Sequence, residues 1–158
     1  MASNEEKIPL FVPSLGGIYE KLLPYMYPLL RAMMGLMFIP HGMQKLFGVF
    51  GAFPMQGYVG FFTKFLGPTF GSAGWVYYIG CLEFFGGIAL VIGLLTRFFA
   101  VQFVAFMCIS ALLVNSEIGW FWTKGGTEVS LSWGVVCLVI LIKGAGSMSV
   151  DRKIGKEF

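Results

Sequence analysis

Charge is scarce in this chain. Of its 158 residues only 12% are Asp, Glu, Lys or Arg, against 57% hydrophobic, and the mean hydropathy is +0.79. Soluble domains carry about 25% charged residues, so a soluble fold of this length would lack the polar groups to cover its surface. Histidine occurs once, at His41, which excludes bis-histidine haem ligation within the chain. Cysteine occurs three times, at Cys81, Cys108 and Cys137, each inside an apolar stretch and none in a CxxC pair. Their spacing makes no zinc or iron–sulfur pattern and no disulfide framework, so they read as small buried hydrophobes and no metal is expected. Neither a dinucleotide-binding GxGxxG after a strand nor a phosphate-binding GxxxxGK[ST] occurs. The net charge of +3 comes from scattered residues. With no basic run interleaved with aromatics, nucleic acid is not an expected partner. The first twenty residues are polar and acidic where a cleavable secretory signal needs a basic start and an apolar core. No internal repeat is present.

What the chain does hold is phenylalanine and glycine, 17 and 22 residues respectively. Glycine is common in membrane helices because it lets backbones approach closely. About twenty apolar residues cross a bilayer core at 1.5 Å rise per residue. Spans are expected at about 25–44, 75–95, 98–114 and 129–142, the last one short. Thr96 and Arg97 alone separate the second from the third, which predicts a tight helical hairpin. Pro40 removes a backbone hydrogen bond and predicts a kink near 36–40. Residues 45–74 are aromatic, glycine-rich and interrupted by Pro54 and Pro68. They read as an interfacial segment with a short amphipathic helix near 58–66, a re-entrant loop being the alternative. The fold class is therefore all-α: an integral membrane four-helix bundle with an interfacial aromatic segment between the first two helices. Its parts are an N-terminal segment 1–22, a membrane domain 23–144 and a basic tail 145–158.

Basic residues set orientation. Lys7, Lys21, Arg31, Arg97, Lys143, Arg152, Lys153 and Lys156 fall on one side, against Lys45, Lys64 and Lys124 on the other. That asymmetry puts both termini in the cytoplasm and residues 45–74 and 115–128 outside.

Ionisable groups at membrane depth are costly, so the few present stand out. His41, Gln44 and Lys45 occupy positions i, i+3 and i+4 near the outer end of the first span and share one face. Arg31 lies roughly 21 Å away along the same helix and is expected to snorkel to the inner interface. Glu83 lies about 12 Å into the second span from outside, at a depth comparable to His41 and Lys45. Gly80 and Gly87 flank it at i−3 and i+4, a smooth strip for helix packing. An unpaired carboxylate there would be too costly, so it is protonated or matched to a cation, with His41 and Lys45 the natural partners. Asn115, Glu117 and Glu128 add polarity at the outer ends of spans three and four, while the inner half of spans two to four is almost wholly apolar. Two readings of the interior groups stand: an ion pair that fixes helix register, or a proton-handling or ligand-binding site near the outer face. Trp120 and Trp122 read as anchors in the interfacial belt.

The string Pro40-His41-Gly42-Met43-Gln44-Lys45-Leu46-Phe47-Gly48, with Arg31 before it, resembles the first-helix signature of the DoxX family. Gly80-Cys81-Leu82-Glu83-Phe84-Phe85-Gly86-Gly87, then Gly93-Leu94-Leu95-Thr96-Arg97, resembles its second-helix signature, and a Gly-x-x-Ser element near 146–150 fits as well. The resemblance covers residues 22–151; the longer N-terminal segment and the extended aromatic outer segment depart from it. It implies a four-helix protein of the bacterial or archaeal inner membrane, linked to membrane redox complexes. Two functions follow as expectations. One is a non-catalytic accessory subunit of a larger redox or energy-converting complex, in contact with lipid and other membrane subunits. The other is a quinone-linked oxidoreductase subunit with Glu83 and His41 exchanging protons. No cofactor is expected within the chain itself, with quinone or lipid at its surface. A small transporter is disfavoured for want of paired broken helices or a repeat.

Overall fold

The computed structural model describes residues 8–158, and Lys7, with most of the acidic start, lies outside the described residues. The described residues are helical, with no strand among them. Helix α1 (Gly16–Phe47) is 32 residues long and runs unbroken through Pro24, Pro28 and Pro40. Each proline removes one backbone hydrogen bond, a loss that membrane helices tolerate where neighbours re-satisfy the carbonyl. It ends at Gly48 in the left-handed conformation, φ +67°, as glycine after a helix permits. Helix α2 (Met55–Leu66) matches the short helix expected within the aromatic segment. Helix α3 (Ala73–Ile92) starts with the Ser72 hydroxyl accepting the Trp75 N–H at 3.4 Å, and helix α4 (Thr96–Glu117) follows after three residues. Both contain a π-type turn, at Leu82–Gly86 and Ser110–Val114. The turn between them uses left-handed backbone at Gly93 and at Leu95, which is strained there by its Cβ. Helix α5 (Thr127–Lys143) is followed by a short α6 (Val150–Ile154).

Three helical stretches among the described residues are long and apolar enough to cross a membrane: Pro13–Phe47, Ala73–Ile92 and Thr96–Glu117. The protein is a membrane protein. Helix α5, at 17 residues, is shorter than these. The four long helices share a core in which Phe38 of α1 stacks on Phe103 of α4 at 3.9 Å and meets Trp133 of α5 edge-on at 5.1 Å. Helices α1 and α3 touch backbone to backbone. A Cβ placed on Gly42 would sit 2.4 Å from Phe84 N, and one on Gly35 2.4 Å from Gly87 O. The Gly80–Gly87 strip read from sequence thus packs on α1, which brings glycines of its own, Gly35 and Gly42, to the crossing.

One expectation fails at the opposite end. Arg31 does not snorkel; it is 1% exposed. Its Nε donates to Leu90 O at 2.9 Å and its Nη2 to Met148 O at 2.6 Å, while Nη1 donates to Ala145 O. The tail is anchored at the same end. Asp151 is buried, and its carboxylate accepts the N–H groups of Leu95 and Thr96 at 2.7 and 2.9 Å. These amides open α4 and have no partner within the helix, so the carboxylate satisfies them and sits favourably at the positive end of the helix dipole. This end of the molecule thus holds buried Arg31, Thr96, Ser149 and Asp151, contributed by α1, the start of α4 and the tail.

Candidate functional site

Lys45, in the last turn of α1, and Glu83, in the π-type turn of α3, meet at the other end of the molecule. Lys45 Nζ lies 2.7 Å from Glu83 Oε2, with side-chain exposures of 11% and 5%. Contact is possible because Gly80 and Gly42 carry no side chain where the helices cross. A π-type turn inserts one residue relative to α-helix and recurs at functional sites. The same ammonium donates to His41 O at 3.3 Å and stands 5.8 Å from the Tyr58 ring of α2. Burial in low dielectric makes the mutual contact of these two charges necessary for both.

The other residues of the expected cluster have separate jobs. His41 turns to α5, its ring edge-on to Trp133 at 5.6 Å. Gln44 donates to Phe50 O at 3.0 Å and so fixes the turn that follows α1. Asn115 accepts hydroxyl hydrogens from Ser110 at 2.7 Å and Ser130 at 2.8 Å, tying α4 to α5. Glu128 accepts the backbone N–H of Trp122 at 2.5 Å, which closes the loop between α4 and α5, and Glu117 is exposed. Trp120 and Trp122 are exposed.

Beside the ion pair lies a cavity of about 980 Å³ between α1, α3 and α4, covered by α2. Phe61, Phe62 and Phe65 of α2 face Trp75 and Tyr78 of α3 and Phe106 of α4 across it. His41, Gln44, Lys45, Gln102 and Asn115 supply its polar points. Glu83 is not on the wall; it stands behind Lys45. Reasoning from sequence missed Gln102, whose Oε1 accepts from Tyr78 Oη at 2.9 Å and whose Nε2 donates to Phe98 O at 3.1 Å. The signal was present: Gln102 is the one amide in the apolar run 98–109. No cluster of three His, Cys, Asp or Glu side chains that could hold a metal occurs among the described residues.

The sequence profile of the DoxX family matches residues 27–116. The chain belongs to the DoxX family. The DoxX region takes in the ion pair, α2, Gln102 and Asn115, and so the whole cavity wall. It leaves out α5 and the buried Ser149 and Asp151 of the tail. No curated protein and no solved structure matches the chain.

Proposed function

We propose that this DoxX protein binds a quinone-class ring lipid in the outer cavity, as one subunit of a membrane redox system. The cavity carries this reading. Ligand pockets of about 300–1,000 Å³, mostly apolar with a few placed polar groups, are the usual form of a small-molecule site. A quinone head is a flat ring with two carbonyl oxygens. The phenyl and indole walls suit the ring, and N–H donors of Lys45, His41 and Gln102 suit the oxygens. Bound there, a quinone supplies two-electron, two-proton redox chemistry. The chain's own part is to orient the ring, exclude water and offer protonable groups at His41 and, behind Lys45, Glu83. The accessory-subunit reading concerns the same protein: it predicts binding without turnover, with lipid and neighbouring subunits on the exposed apolar helix faces. In membrane terms the reading is four spans, α5 being the fourth, in a bacterial or archaeal inner membrane. Both termini are cytoplasmic and α2 lies at the outer interface.

Quinones quench indole fluorescence, and Trp75 is on the wall. In lipid nanodiscs, a decyl-substituted benzoquinone should quench the wild-type protein saturably. Ala105 also lines the cavity. Its replacement, Ala105→Phe, puts a ring into that space without adding an indole and should weaken saturable quenching while leaving the fold intact by circular dichroism. Equal, non-saturating quenching in both proteins would mean that the quinone only partitions into lipid, and the reading would fall.

A further inference from the structure

The tail after α5 is pinned rather than loose, and this fixes the positions of the charges on it. Arg31 holds the carbonyls of Ala145 and Met148, and Asp151 N donates to Gly93 O at 2.9 Å. Between the end of α5 and α6 the chain leaves an open groove of about 410 Å³. Two carboxylates and three cations line it. Both carboxylates are spent on the protein's own groups. Asp151 takes the Leu95 and Thr96 amides, and Glu157 takes the Ala145 N–H at 2.9 Å while standing 3.1 Å from Arg97 Nε. The three cations are Lys143, Arg152 and Lys156, all exposed. Among the described residues no ion pair joins any of them to a carboxylate. Lys143 instead rests over the Tyr27 ring at 4.5 Å. The groove therefore presents uncompensated positive charge on a fixed frame.

Its place relative to the bilayer indicates what would neutralise it. Lys143 is the last residue of α5. With α5 as the fourth span, as proposed above, the groove opens where hydrocarbon gives way to headgroups. On α5, Ile142 and Leu138, one turn apart, are exposed next to it. A ligand with a phosphate at the groove and acyl chains along α5 would meet charge with charge and apolar surface with apolar surface.

We propose that the groove between α5 and α6 is a binding site for the phosphate headgroup of an anionic phospholipid, held by Lys143, Arg152 and Lys156. The proposal rests on α5 being the fourth span, as read above, and is independent of what the opposite cavity binds. Inorganic phosphate shares the chemistry but lacks the acyl chains.

The test uses the full chain in mild detergent, with phosphatidylglycerol or phosphatidylcholine added, and counts retained lipids by native mass spectrometry. The wild-type protein should prefer phosphatidylglycerol by about tenfold, since three exposed cations attract an anionic headgroup and salt screens part of that attraction. The triple variant Lys143→Gln/Arg152→Gln/Lys156→Gln should lose that preference. A control, Lys64→Gln/Lys124→Gln, removes two exposed cations elsewhere and should keep it. Asp151→Ala retains all three cations but releases α6, and should weaken the preference although it raises the net charge. Three results would each overturn the proposal: no wild-type preference, an equal loss in the control, or tighter binding by Asp151→Ala. So would displacement of the lipid by millimolar inorganic phosphate, which would make this a free-anion site.

Discussion

Lys45 has three N–H donors on its ammonium, and two are accounted for by Glu83 and the His41 carbonyl. The third is free for a ligand at the cavity wall. The pair is nearly dry, so neither charge can lose the other cheaply. Glu83→Gln leaves an unmatched ammonium, and Lys45→Met an unmatched carboxylate. Each single change should lower stability by about 3–5 kcal/mol, and the double variant should recover much of the loss. Thermal unfolding in detergent checks this. Additive losses would show that the two side chains are energetically separate despite their 2.7 Å contact. If the cavity is a quinone site, the recovered double variant still lacks the Lys45 donor. It should then fold normally and bind the benzoquinone more weakly.

At the scale of elements, the crossing of α1 and α3 is what brings that pair together, and glycine is what permits the crossing. Gly42 and Gly35 face the backbone of α3, which cannot yield as a flexible side chain can. Gly42→Ala or Gly35→Ala must push the helices apart, and each should destabilise by about 1–3 kcal/mol or more. Gly60, inside α2, has nothing within 4 Å of its would-be Cβ. Gly60→Ala should instead gain about 0.5–1 kcal/mol from lower backbone entropy in the unfolded state. Unfolding midpoints for the three variants give the comparison. Equal tolerance at Gly42 and Gly60 would mean that α1 and α3 are not in backbone contact. Helix α2 belongs to the same scale. It buries none of its own residues, and its aromatic side chains serve the cavity rather than the shared core.

For the molecule as a whole, the two ends differ in character. One holds an aromatic cavity with a paired Lys and Glu; the other holds the Arg31 and Asp151 anchors and the basic groove. Charge bias of this kind orients a membrane protein with its basic end inside. Reporter fusions placed at Gly125 and after Phe158 should therefore report opposite sides of the membrane, the second cytoplasmic. A common side for both would remove α5 as a spanning helix and would place the basic groove and the cavity on the same face.

The sequence by itself determined the membrane class, the family and the positions of the long helices, because apolar length and glycine spacing are local properties of the chain. It also limited the partners of Glu83 to two, since equal depth on neighbouring helices follows from a rise of 1.5 Å per residue. Which of the two pairs was decided by tertiary structure. The azimuth of α1 between α3 and α5 sends Lys45 to Glu83 and His41 to Trp133. Arg31 is the sharper case. A cation near a helix end reads as a snorkelling residue until the chain returns, more than a hundred residues later, to place the Ala145 and Met148 carbonyls around it. The cavity was not legible for the same reason. Its walls come from four separate helices, and the volume exists only once α2 folds over the other three. Enclosed space is a property of how elements sit on one another, and no periodicity along a chain encodes it.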